Sequence, residues 1–166
     1  MTNESAPIAL VTTGGTIDKA YFDSLSTYQV GETVVAHLLK AARVECRWEL
    51  IELLRKDSLE LTDADRAMLR QTIASLDTDR VVVTHGTDTM TQSAQALLEV
   101  TGKTIVMTGS LAPARFAESD ATFNLGMAFG AVQSLPHGVY IAMNGQVFRG
   151  DRVRKDRQLG RFVSTP

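Results

Sequence analysis

The chain has 166 residues and a formal charge of −2, from 17 Lys and Arg against 19 Asp and Glu. Its length suits one domain with a substantial core and leaves no room for two of ordinary size. The balance of charges excludes a phosphate-backbone binder, which carries a basic excess, and 44% apolar against 22% charged residues excludes long disorder. The single cysteine, Cys46, cannot close an internal disulfide. The N-terminus lacks a basic start followed by an apolar stretch, so no signal peptide is expected. No apolar run approaches the roughly 20 residues of a membrane helix. These features are those of a small cytoplasmic α/β domain whose partners include neither membrane nor nucleic acid.

Pro7 opens a short apolar run, Ile8-Ala9-Leu10-Val11, followed at once by Thr12-Thr13-Gly14-Gly15-Thr16. A buried strand ending in a glycine turn fits. Residues 18–30 mix polar and aromatic types without period and read as an irregular surface excursion. Val34, Val35, Leu38 and Leu39 recur at helical spacing between about Glu32 and Arg43. Trp48–Leu53 reads as a second strand. Thr62-Asp63-Ala64-Asp65 has the form of a capping box, with Met68, Leu69, Ile73 and Leu76 as the apolar face of the helix it starts. Arg80–Thr84 is β-branched and continuous, as parallel strands buried on both faces are. A helix is expected from Thr89 to Val100, a strand over Thr104–Met107, a helix over Ser119–Leu135 and a fifth strand over Gly138–Ala142. After that, basic residues gather (Arg149, Arg152, Arg154, Lys155, Arg157, Arg161) without helical or strand period. The alternation predicts a doubly wound, mostly parallel five-stranded sheet with right-handed crossovers and helices on both faces.

In such sheets ligands bind outside the carboxyl ends of the strands. Two strand ends carry loops rich in hydroxyls and glycine: Thr-Thr-Gly-Gly-Thr-Ile-Asp after the first strand and Thr-His-Gly-Thr-Asp-Thr-Met after Arg80–Val83. Glycine lets a backbone approach a ligand closely. A threonine hydroxyl becomes a nucleophile when a base takes its proton. Asp88 with a nearby lysine completes such a relay, and Lys155 follows the fifth strand. Each feature also has a plain structural reading. Thr-Gly-Gly-Thr alone is a tight turn, Thr87-Asp88 a helix cap, and the basic tail a solvated face. Their joint placement on one rim favours the chemical reading.

Sharper alternatives fail. Thr101-Gly-Lys-Thr104 imitates the end of a P-loop, but Leu97 stands where its first glycine belongs and a strand follows instead of a helix. There is no Gly-x-Gly-x-x-Gly after a strand and no Gly-x-Ser-x-Gly elbow. His37, His85 and His137 are too dispersed for zinc. His85 reads as a loop-packing or hydrogen-bonding residue, and Cys46 as a structural thiol. Arg149-Gly150-Asp151 is a chance tripeptide.

Together the two loops are specific. Thr13-Gly14-Gly15-Thr16-Ile17 and His85-Gly86-Thr87-Asp88-Thr89-Met90 resemble the two signature motifs of the bacterial-type L-asparaginases. The likeness continues through Met107-Thr108-Gly109-Ser110, Asn124-Leu125 and Met143-Asn144-Gly145 and covers nearly the whole chain. It matches only the N-terminal half of the usual member, as in the short single-domain forms. The resemblance therefore implies one catalytic domain over residues 1–166, flavodoxin-like and similar to the asparaginase N-terminal domain, with the smaller C-terminal domain of longer relatives absent.

By this resemblance Thr16 is the primary nucleophile, and Thr87 with Lys155 and Asp88 forms a second hydroxyl–amine relay. Tyr21 sits on a mobile loop, residues 18–30, that closes over Thr16. Ser58 binds the substrate α-carboxylate and Asp88 its α-ammonium; Gly15, Gly86 and Thr87 complete the substrate-binding set. The implied reaction hydrolyses the side-chain amide of L-asparagine to L-aspartate and ammonia through an acyl-enzyme, with weak glutaminase side activity. It needs no metal or organic cofactor. Backbone N–H groups near Gly15 or Thr87-Asp88 stabilise the oxyanion, each by roughly 3–4 kcal/mol when well placed. A homo-oligomer is expected, because the missing domain leaves a surface that relatives cover. The chain departs from the family at Asp18-Lys19, where small residues are common, at Leu59, often polar, and at Thr91-Gln92, often acidic. The acid that longer enzymes borrow from a neighbour's C-terminal domain has no counterpart. Two other readings remain: an amino-acid sensor without turnover, and an amidohydrolase subunit that needs a partner.

Overall fold

The structure, a computed structural model, describes residues 6–22 and 27–166. The apolar runs become the strands of one central sheet: β1 (Ile8–Gly14), β4 (Trp48–Lys56), β5 (Arg80–Thr84), β6 (Thr104–Thr108), β7 (Gly138–Met143) and β8 (Gln146–Arg149), with the hairpin strands β2 (Lys19–Phe22) and β3 (Thr27–Val30) preceding β4 in the chain. The sheet order is β4-β1-β5-β6-β7-β8. Every pair from β4 to β7 is parallel, and β8 is antiparallel to β7. All five expected strands form, and the parallel part has the flavodoxin-like order.

Burial on both faces explains the continuous β-branched runs. Val11, Val83, Met107 and Ile141 pack on one side with Leu69 and Ile73 of α2 (Asp63–Ser75) and Met90, Ala94 and Leu97 of α3 (Met90–Leu97). Leu10, Val82, Val106 and Ala142 pack on the other with Val35 and Leu39 of α1 (Val35–Ala41) and Leu125, Ala128, Phe129 and Val132 of α4 (Ala121–Ser134). The capping box of α2 is present: the Asp65 N–H donates to Thr62 Oγ1 at 3.2 Å, and the Thr62 N–H to Asp65 Oδ2 at 2.8 Å. Among the described residues, no helix is long and apolar enough to cross a membrane.

Two expectations are corrected. The stretch 18–30 is not irregular throughout: β2 and β3 pair antiparallel, Lys19 opposite Val30 and Tyr21 opposite Tyr28. The basic tail is not patternless either. It supplies β8 and then a ribbon of β9 (Val153–Asp156) and β10 (Arg161–Ser164), antiparallel to each other and outside the central sheet. Asn144 and Gly145, both at positive φ (54 and 68), turn β7 into β8, as an Asn-Gly hairpin turn requires.

Candidate active site

The strand order reverses between β1 and β5, because the chain goes first to β4 and then back past β1. Ligand crevices form at that switch point, and both hydroxyl-rich loops leave the sheet there. Their contact is made of glycine. Gly15 has φ +89, and a Cβ on it would lie 2.4 Å from the Gly86 nitrogen; only glycine allows both the dihedral and the approach. A Cβ on Gly86 would in turn lie 2.7 Å from Ser58 Oγ. Thus the loops after β1, β4 and β5 converge on one spot. Further bonds hold them: the Gly15 N–H donates to the Lys56 carbonyl at 2.9 Å, Thr13 Oγ1 to the Thr84 carbonyl at 2.8 Å, and Thr89 Oγ1 to the Ser58 carbonyl at 2.7 Å.

Thr16 follows Gly15 and opens a single 3₁₀ turn, Thr16–Asp18, partly exposed. Thr87 follows Gly86. Lys155 Nζ donates to Thr87 Oγ1 at 2.8 Å and to Asp88 Oδ1 at 2.7 Å. Lysine and aspartate side chains are 15% and 39% exposed, so the pair sits at the mouth of the crevice and not in the core. Asp88 does not cap a helix: Thr89 holds the N-cap position of α3, without a side-chain cap bond. Lys155 reaches the site because β9 shares a face with the buried anchor Phe162, its register partner on β10. The Phe162 N–H donates to Asn144 Oδ1 at 2.8 Å, which fastens the ribbon to the β7–β8 turn.

The structure therefore gathers Gly15, Thr16, Ser58, Gly86, Thr87, Asp88 and Lys155. The Tyr21 side chain lies outside the described residues; the Tyr21 backbone is in β2. At the base of that hairpin Asp18 is buried and accepts the Val34 N–H at 2.9 Å. Burial pushes the Asp18 carboxyl up to about 6, against the opposing hydrogen bonds from Val34 and Thr33 and the charge of Arg115. Lys19 Nζ meets Asp57 Oδ2 at 2.8 Å, tying β2 to the turn that carries Ser58. Burial raises the Asp57 carboxyl, but Lys19 and the Leu59 amide outweigh it and hold it below the usual range. Leu59 itself turns outward, 66% exposed.

Sequence reasoning read His85 as a packing or hydrogen-bonding residue but missed its partners. The ring is fully buried. Nδ1 lies 2.7 Å from the Gly86 carbonyl and Nε2 lies 2.7 Å from Ser93 Oγ, which also accepts Arg66 Nε at 3.2 Å. Burial pulls the imidazole down to about 4, with the charge of Arg66 adding to it. Ser93 is in α3 and Arg66 in α2, and no local motif links either to the loop. Among the described residues, no three His, Cys, Asp or Glu gather as metal ligands. What the site offers is two threonine hydroxyls on abutting loops, one of them bonded to an amine with a carboxylate counter-ion.

Residues 7–161 match the family model described as asparaginase, N-terminal. A glutaminase-asparaginase of Acinetobacter glutaminasificans is 33% identical over 162 residues, covering 89% of this chain and 49% of that protein. The thermostable L-asparaginase from Thermococcus kodakarensis superposes with a TM-score of 0.82 and 26% identity, over 96% of this chain and 51% of its own. A probable cytoplasmic L-asparaginase from Campylobacter jejuni gives a TM-score of 0.82 and 29% identity, over 96% of this chain and 53% of its own. The chain spans about half the length of the curated relatives it matches. A family model over almost the whole chain, joined to this crevice, shows that the protein belongs to the asparaginase family.

Proposed function

We propose that the protein hydrolyses the side-chain amide of L-asparagine to L-aspartate and ammonia, with weaker action on L-glutamine. The observation that carries this reading is the Lys155 bridge to Thr87 and Asp88, set directly beside the Gly15–Gly86 contact that brings the Thr16 loop to it. In the proposed reaction Thr16 Oγ attacks the amide carbon and its proton passes to the relay. Tyr21 on β2, or the pair of Thr87 and Lys155, receives it, since a threonine hydroxyl is a weak nucleophile until a base takes its proton. The same proton then goes to the leaving nitrogen. Ammonia departs, the acyl group stays on Thr16, and water cleaves that ester to release aspartate. Ser58 is assigned to the α-carboxylate and Asp88 to the α-ammonium. The N–H groups of the Gly15 and Thr87 loops are assigned to the oxyanion.

Asparagine and glutamine differ by one methylene, which a pocket separates by roughly 1–3 kcal/mol. Names of relatives that pair both activities support a minor glutaminase reaction. We further take the protein to act in the cytoplasm as a homo-oligomer. Likeness to the Campylobacter jejuni protein, a probable cytoplasmic L-asparaginase, supports the first, and the outward Phe123, 63% exposed on α4, fits the second.

Ammonia release from asparagine and glutamine, for wild type and Thr16→Ala, tests the reading. Release that disappears in the variant is the expected result. Release that persists moves the nucleophile to Thr87. An asparagine-induced rise in melting temperature with no ammonia makes the protein a sensor, and no response at all points to a subunit that needs a partner.

A further inference from the structure

We propose that His85 is a positioning residue: held by Ser93 and Arg66, it fixes the Gly86–Thr87 peptide so that the Thr87 N–H faces the oxygen of the scissile amide. The inference rests on the amidohydrolase reading for its catalytic meaning, and on geometry for the rest. A carbonyl oxygen only accepts, so the 2.7 Å contact with Gly86 requires the hydrogen on His85 Nδ1. The Arg66 guanidinium only donates, so Ser93 Oγ accepts from it and gives its own hydrogen to His85 Nε2. The chain of donors therefore has one direction, from α2 through α3 to the loop after β5. Its anchor is firm: Arg66 is itself buried and bonds the Leu61 carbonyl and Asp63.

The consequence is at the other end of the peptide. Peptide bonds are planar and trans, and no cis bond occurs among the described residues. With the Gly86 carbonyl turned to the buried ring, the Thr87 N–H in the same plane points the opposite way. Gly86 abuts Gly15 and Thr87 Oγ1 accepts from Lys155, so the residue that carries this N–H belongs to the junction of the two loops. Among the described residues no backbone or side-chain acceptor takes the Thr87 N–H. The imidazole itself does not shuttle protons: both nitrogens are occupied, and burial keeps it neutral above pH of about 4.

Three variants and one spectrum test the assignment. In His85→Asn the side-chain nitrogen stands where Nδ1 stood, whereas in His85→Gln it stands nearer Nε2. Ser93→Ala, a milder change, removes the hydroxyl that sets the tautomer. Expected for His85→Gln is a fall in kcat of about tenfold to hundredfold, part of what a lost oxyanion donor costs. KM should stay within about twofold, since the contact forms in the transition state. His85→Asn should recover most of the loss, and Ser93→Ala should fall between. Nitrogen-15 spectra of the wild type should show Nδ1 protonated and Nε2 bare. A ring protonated at Nε2 overturns the proposal, as does a Ser93→Ala enzyme with wild-type kcat. If the wild type releases no ammonia, the amidohydrolase reading fails separately. The Thr87 amide resonance then decides: a shift in Ser93→Ala supports the positioning, and an unchanged resonance refutes it.

Discussion

A methyl group on Gly15 would lie 2.4 Å from a backbone nitrogen that has nowhere to go, on a residue with φ +89. Gly15→Ala is therefore expected to part the two loops at the point where the site is assembled. Misplacement by about 1 Å costs on the order of 100-fold in rate, while backbone strain costs on the order of 1–3 kcal/mol in stability. Ammonia release and urea unfolding measured on the same preparation separate the two. A variant that keeps wild-type turnover would show that the glycine contact is not the seat of the chemistry. At this scale the sequence was legible where residues sit at strand ends. Gly15, Thr16, Gly86, Thr87 and Asp88 announce themselves by loop composition. Arg66 and Ser93 do not, because 27 residues separate them and only the packing of α2 on α3 lets them meet.

Among elements, α2 is the clearest case of local code agreeing with structure. Its capping box satisfies N-terminal N–H groups that would otherwise lack partners. Thr62→Ala should cost about 1 kcal/mol in chemical denaturation, with turnover little changed. The ribbon β9–β10 is the opposite case. Its strands are four residues each, too short to show a period, and β9 (Val-Arg-Lys-Asp) is mostly charged, while Phe162 is the buried anchor on β10. Phe162→Ala should cost about 3–5 kcal/mol and release Lys155 from Thr87, so activity should fail at temperatures where the remainder is still folded. Circular dichroism and ammonia release followed together along a melt test this. Asn144-Gly145 did carry a hairpin signal, one that the family resemblance around it absorbed. The hairpin β2–β3 had none: its strands are four residues each, too short to show a period, and among the described residues they pair with each other outside the central sheet.

For the whole molecule, the β4-β1-β5 reversal decides where function sits. Alternation of strand and helix was enough to expect ligands on the rim of the strands' carboxyl ends, but the strand order that sets the crevice between β1 and β5 is a property of the assembled sheet. The same fold buries two titrating groups on either side of that crevice, Asp18 and His85, with opposite displacements. The Asp18 carboxyl rises from 3.8 to about 6, so its contribution to stability is full below 3.8 and is lost as pH climbs through 6. The His85 imidazole falls from 6.5 to about 4, so its contribution is full above 6.5 and is lost as pH drops through 4. Each is worth about 3 kcal/mol at its limit, and across pH 4–6 they offset one another. Asp18→Asn keeps an acceptor for the Val34 N–H. It should be more stable than wild type at pH 8 by up to about 3 kcal/mol, with the gap closed below pH 3.8. Urea midpoints at the two pH values give both numbers.

Burying Asp18 has a calorimetric consequence as well. Near pH 5 the folded chain keeps Asp18 protonated and His85 neutral, whereas in the unfolded chain Asp18 is ionised and His85 carries the second, titrating proton. For these two groups, unfolding hands a proton from one side chain to another and asks nothing of the buffer. The wild-type unfolding enthalpy should then be nearly the same in acetate and in a buffer of high ionisation heat. In Asp18→Asn that internal exchange is gone, unfolding draws about one proton from solution, and the measured heat should come to depend on which buffer supplies it.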